Sequence, residues 1–162
     1  MKHIQEFKNL SRNKLAETEK ILRNGNLIVD DSISKIVLMG SRGLLGGFRP
    51  DSDIDLGLIL HPGFEPSENT CRKANELTLS RWSGEIELDT AIVFDKMGCG
   101  LPCYEKKYFD PGLCVHGKDC IGLFKIQKGF SGFVPDIGLE VKNIYPVLII
   151  WDAREEDLLT KQ

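Results

Sequence analysis

Asp53 and Asp55 flank one apolar residue in the run Asp53-Ile54-Asp55-Leu56. On an extended strand that spacing points both carboxylates to one face. Two negative charges held so close repel, and without a counter-ion at least one carboxyl is harder to ionise. A divalent cation relieves the conflict, and hard oxygen ligands suit Mg²⁺. A later acidic strand, Glu85–Phe94, carries Asp89, which completes a set of three carboxylates if the two strands lie side by side. Three carboxylates suffice to hold two Mg²⁺ ions for an in-line displacement at phosphorus. Glu87 shares a face with Asp89. Asp89 is preferred because the residues after it, Thr90–Phe94, are almost wholly apolar, as are those after Asp55.

Gly40-Ser41 supplies what carboxylates lack. A glycine ending a strand lets backbone N–H groups approach a phosphate, and a helix starting there would add a favourable dipole. The Ser41 hydroxyl can donate to a phosphate oxygen. Arg42 or Arg49 can neutralise part of a triphosphate's charge. Each half has a plain alternative. Asp-x-Asp alone is often a solvent-facing strand edge, and Gly-Ser alone is often a turn. A calcium loop counted from Asp51 fails, because its sixth and twelfth positions are Leu56 and Pro62 rather than Gly and Glu.

The elements that must position these residues follow from periodicity. Ile4, Phe7, Leu10, Leu15, Ile21 and Leu22 predict an amphipathic helix over 3–23, stopped by Asn24-Gly25-Asn26. Residues 27–32 read as a connector. Ile36–Met39 is a short buried strand ended by Gly40, and Gly43, Gly46 and Gly47 mark a loop or a frayed helical turn. Asp53–Leu60 is a strand whose first residues carry chemistry and whose remainder is buried. Ser67 caps a helix over 67–82, and Ser83-Gly84 ends it. That helix, lying between two strands, predicts a crossover within one sheet.

Beyond Lys96 the pattern weakens. Residues 98–102 read as loop, 104–109 as helical, 113–116 as a short strand, and Gly129, Gly132 and Pro135 as a loop region. Residues 144–151 read as a late strand, placed at an edge by Pro146. Asp152 and Glu155 stand in capping-box positions for a helix over 152–160. The expected class is α/β of the α+β type: one domain over 1–162, with a mixed β-sheet and helices mainly on one side.

A net charge of -3, from 21 basic and 24 acidic residues, gives no field that would hold nucleic acid non-specifically. The polar N-terminus lacks a signal peptide's apolar core, and Val147–Trp151 is far too short to span a bilayer. Five cysteines in no framework spacing suit reduced thiols, and the expected location is cytoplasmic. Cys99, Cys103, Cys114, His116 and Cys120 fall within a short span, but their spacing is not that of zinc knuckles. Gly112–Asp119 fits the first seven positions of a phosphate loop, yet Asp119 stands where Ser or Thr should bind the metal.

The combination is more specific than its parts. Met39-Gly40-Ser41, eleven residues, Asp53-Ile54-Asp55-Leu56 and then Leu88-Asp89 resembles the nucleotidyltransferase superfamily that includes DNA polymerase beta, particularly its small prokaryotic members. The resemblance covers residues 34–94. It departs where many small members carry Ala-Arg-Gly one residue after Gly-Ser, since Ser41 here runs directly into Arg42-Gly43. The resemblance implies a polymerase-beta-like fold and transfer of a nucleoside monophosphate, AMP from ATP, to an acceptor hydroxyl with release of pyrophosphate. By it, Asp53, Asp55 and Asp89 ligate Mg²⁺, Asp89 also helps deprotonate the acceptor, and Gly40, Ser41 and Arg42 hold phosphates. The acceptor in such proteins is a small molecule or a hydroxyl on a partner protein, as in antitoxin-type adenylyltransferases. In so short a chain, residues 97–162 would shape the acceptor site, with a partner protein or the second subunit of a homodimer completing it. A nucleotide- or partner-binding module that has lost catalysis is the other class to weigh.

Overall fold

Short runs rich in isoleucine, valine and leucine form the strands of the main sheet. A computed structural model of the chain describes residues 1–44, 46–106, 110, 112, 120–127, 129–135 and 146–155. In chain order its elements are β1 (Lys2–His3), α1 (Ala16–Asn24), β2 (Ile28–Val29), β3 (Ile33–Met39), β4 (Ile54–Leu60), α2 (Glu68–Arg81), β5 (Leu88–Asp95), β6 (Ile121–Gln127), β7 (Phe130–Phe133) and β8 (Leu148–Asp152). Six of the strands form one mixed sheet in the order β7-β6-β5-β4-β3-β8. β4 and β5 run parallel, joined by α2 as the crossover, and the other neighbours are antiparallel.

Strand alternation assigns every side chain to one of two faces. Ile36 and Leu38 on β3, Ile54, Leu56 and Leu58 on β4, Ile92 on β5, Phe124 on β6 and Leu148 and Ile150 on β8 form one buried cluster. Ile21 and Leu22 of α1 and Cys71 and Ala74 of α2 join it, so both helices cover this face. Val37, Ile59, Val93, Ile121 and Ile149 point the other way. They pack with Leu101 and with Cys103 and Tyr104 of the 3-10 turn that follows it, Pro102–Glu105. Burying each such Leu or Ile stabilises the fold by about 2 kcal/mol before chain entropy is counted.

Three expectations are corrected. The helix expected over 3–23 begins only at Ala16. Asn9 and Lys14 adopt positive φ, and residues before Ala16 bond elsewhere: Ile4 N–H donates to Leu27 O and Lys8 N–H to Ile150 O. Ile4 and Leu10 are buried all the same, so the apolar spacing marked contact with the core rather than a helix. The connector over 27–32 contains β2, which pairs with β1. The loop expected around Gly129 and Gly132 is a hairpin, in which Gly132 lies within β7 and Gly129 takes the turn with φ +82°. A Cβ at Gly122 would enter the Phe94 ring, so this glycine belongs to a strand under an aromatic side chain rather than to a turn.

Other readings hold. α1 stops at Asn24-Gly25, with Asn26 at φ 59°. β8 lies at a sheet edge, preceded by Pro146. The 3-10 turn over 102–105 begins in the expected loop and overlaps the stretch expected to be helical, 104–109, only at 104–105; 107–109, the strand expected over 113–116 and most of the phosphate-loop-like stretch lie outside the described residues. Helical residues 153–155 follow β8, with Asp152 Oδ1 accepting from the Arg154 N–H; Glu155 pairs with Lys8 rather than closing a capping box.

Ser67 caps α2 as its type predicts, its Oγ accepting from the Thr70 N–H at 3.1 Å. Ser67→Ala should cost about 1 kcal/mol in urea denaturation, with no change in the denaturant slope.

Candidate functional site

The two faces decide where the acids point. Asp55 is odd-numbered on β4 and Asp89 odd-numbered on β5, so both leave the helix-covered face and share the side of Val37, Ile59 and Val93. The parallel register sets Asp55 directly beside Asp89. Adjacent strands lie about 4.8 Å apart, so the two carboxylates stand close enough for each charge to act on the other. The pKa of Asp55 is raised, first by burial, then by the charge of Asp89 and less by that of Asp53, while Lys125 opposes the rise.

Gly40 ends β3 next to Met39, the register partner of Asp55. Its φ is +70°, and a Cβ there would collide with Asp55 Oδ2. Glycine is therefore required twice, for the backbone angle and for the approach of the carboxylate. Ser41 follows, half-buried, in a turn closed by the Gly43 N–H donating to Gly40 O at 3.1 Å. No helix begins at this turn within the described residues, so the dipole expected there is not supplied. A pocket of about 320 Å³ opens at this end of the sheet, lined by Met39, Gly40, Asp55, Asp89, Ala91 and Lys125 among others.

Lys125 is the residue the sequence reading missed. It lies on β6 opposite Ala91, on the same face as the acids, and its Nζ stands 3.5 Å from Asp89 Oδ2. A lysine in a weakly patterned segment gives no local signal. The antiparallel pairing of β6 with β5 brings it to the site.

Asp53 and Glu87 lie outside this group. Asp53 precedes the first residue of β4 and is exposed, near enough to Asp55 for its charge to act there. Glu87 is exposed ahead of β5, and its backbone carbonyl accepts from the Ile54 N–H. Among the described residues no three His, Cys, Asp or Glu side chains converge closely enough to hold a metal ion. The three-carboxylate set for two ions is thus not assembled here. Two adjacent carboxylates do fit one Mg²⁺, which commonly takes one or two carboxylates and fills its other positions with water and substrate phosphate. Cys103 and Cys120 are buried, Cys99 is exposed, and Cys114 and His116 lie outside the described residues.

Arg42 corrects the expectation that it faces phosphate. Its side chain is fully buried and points into the fold. Nε donates to Ser52 O at 2.7 Å, Nη2 to Pro50 O at 3.0 Å and to Arg49 O at 3.4 Å, and Nη1 to Thr18 Oγ1 at 3.3 Å. The guanidinium also stacks 4.7 Å from the Phe48 ring centroid. A planar fork with five donors in fixed directions can bind three carbonyls and a hydroxyl at once. The clamp fixes the loop that carries the chain from Gly40 to Asp55. Arg49 itself is exposed.

Two other concavities lack this chemistry. A shallow groove of about 680 Å³ runs beside α2, lined by Arg72, Lys73, Glu76, Leu77 and Ile126 among others. A cavity of about 470 Å³ lies at the opposite end of the sheet among Ile59, Phe64, Phe94, Leu101 and Tyr104. Neither opposes two carboxylates. No protein family, no curated protein and no solved structure matches the chain. No helix among the described residues is long and apolar enough to cross a membrane.

Arg42→Met should destabilise the protein by about 3 kcal/mol in urea denaturation, because the carbonyls of Pro50 and Ser52 lose their guanidinium donors while Arg49 O keeps only the Ser52 N–H. For Asp55 the sign is the reverse of the usual carboxylate. Its folded pKa lies above the ordinary 3.8, so the native state holds the extra proton and the group weakens folding as pH rises through that window. With metal chelated, Asp55→Asn should raise Tm at pH 7, and the gain should vanish as pH falls toward 3.8, as read by thermal melts across pH.

Proposed function

We propose that this chain is a small Mg²⁺-dependent nucleotidyltransferase with a polymerase-beta-like fold. It would transfer a nucleoside monophosphate, AMP from ATP, to an acceptor hydroxyl. The observation that carries the reading is the pairing of Asp55 with Asp89 across the β4–β5 ladder, with the Gly40 turn packed against the Asp55 carboxylate. The mixed sheet with its α2 crossover is compatible with that fold.

In this reading Asp55 and Asp89 hold Mg²⁺, with Asp53 at the rim. Bound there, the metal would supply neutralisation of phosphate charge. The Gly40 turn and the Ser41 hydroxyl receive the terminal phosphates. Asp89 takes the proton of the acceptor hydroxyl. The acceptor oxygen forms a bond to the α-phosphorus, the bridging bond to the β-phosphate breaks, and pyrophosphate leaves. Arg42 acts from within, by holding the loop from 49 to 52. Asp53 is the least committed of the three acids, since its side chain stands in solvent. The acceptor is a small-molecule hydroxyl or one on a partner protein, selected by residues 97–162.

Incubation of the protein with Mg²⁺ and ATP labelled at the α-phosphate should move label onto an acceptor in a cell lysate, while ATP labelled at the γ-phosphate should not. Asp89→Asn should lower that transfer by at least about 100-fold with the fold retained. Absence of α-label transfer by the wild-type protein, or undiminished transfer by Asp89→Asn, counts against the assignment. In the first case the nucleotide- or partner-binding module becomes the better reading.

A further inference from the structure

Lys125 gives the site a feature that the three acids alone do not predict. Its ammonium lies at Asp89 and lines the same pocket as Asp55 and Gly40. It comes from a third strand, so β4, β5 and β6 each contribute one charged group to one face. The third carboxylate that a second metal ion would need, Asp53, is exposed and outside the group. Two-metal sites place their ions roughly 4 Å apart on shared carboxylates. Here one flank of the shared carboxylate Asp89 is already taken by the Lys125 ammonium.

We infer that the site binds a single metal ion per chain, for want of a third carboxylate, and that Lys125 supplies at Asp89 the positive charge a second divalent ion would have brought. This rests on the nucleotidyltransferase reading and sharpens it. The charges favour such a division. Two carboxylates balance one divalent ion, and the ammonium is then left to meet the anionic phosphates of the nucleotide. Two divalent ions beside the same ammonium would leave the cleft strongly positive before any nucleotide arrived. The Asp89 side chain is about a third exposed and that of Lys125 slightly less, so the ammonium can turn from the carboxylate to a phosphate without a change in the fold.

The test is titration of the full chain with Mn²⁺ alone, free Mn²⁺ being followed by electron paramagnetic resonance. Wild-type protein should bind one Mn²⁺. Lys125→Met keeps the stem of the side chain and removes the charge, and it should still bind one ion, about tenfold more tightly, because the repulsion from the ammonium is gone. Lys125→Arg should match the wild type. Far-UV circular dichroism checks that the variants fold. Two ions on the wild-type protein overturn the inference whatever the variants do, and leave the metal-dependent reading standing. So does an unchanged or weakened affinity in folded Lys125→Met. No Mn²⁺ on any of the three proteins overturns the metal-dependent reading and this inference with it.

Discussion

The parallel ladder between β4 and β5 is the constraint on which the rest of the site depends. It sets Asp55 against Asp89 and, one residue later, Leu56 against Thr90. The first pair faces the open side of the sheet and the second faces the helices. Leu56 is fully buried, and Thr90 Oγ1 donates to Asn75 Oδ1 on α2. A one-residue slip would turn the acids into the core and the apolar residues out. The energy of the core therefore enforces the repulsion between the two carboxylates, which raises the pKa of Asp55 after burial has already done so.

The ladder needs a fixed starting point, and Arg42 provides it. The loop over 49–52 bends sharply before β4, and its carbonyls face inward with no strand to pair them. One guanidinium satisfies the carbonyls of Arg49, Pro50 and Ser52 and reaches Thr18 on α1. No carboxylate among the described residues forms an ion pair with it. Its charge is spread over hydrogen bonds to carbonyl dipoles, the arrangement that makes a buried cation tolerable. The same residue sits two positions after Gly40, so it ties the Gly40 turn and the start of the acidic strand to one helix. A residue chosen from sequence as a phosphate contact thus serves the site by position rather than by touch.

Gly40 shows how tightly the two halves are joined. At φ +70° it takes the chain out of β3 in a direction that L-residues disfavour. The space where its side chain would be is filled by the Asp55 carboxylate. Turn and acid are therefore packed as one unit. With the Lys125 ammonium on the far flank, Asp89 stands between a carboxylate and a cation. Its local field is set by groups from three strands.

The sequence by itself marked β3, β4, β5 and β8 as strands, where α2 begins and ends, that β8 lies at an edge, and Gly40, Asp55 and Asp89 as members of one candidate site. Those conclusions rest on local quantities: side-chain period, a capping serine, a proline, a glycine after an apolar run. Only the tertiary structure decided the remainder. The spacing over 3–23 could not tell a helix from a wrapped segment, because burial of Ile4 and Leu10 gives the same apolar pattern either way. Arg42 carried a charge that suited phosphate, and only the inward carbonyls of 49–52 turned it away. Asp53 had the right spacing but fell just outside the ladder that would have fixed its direction. Lys125 had no signal at all, since its meaning comes from its pairing across the sheet with Ala91, far from it in the chain. Period and residue type state which face a side chain takes on its own strand. Which neighbour shares that face is a property of register, and register is settled by the packing of the whole sheet.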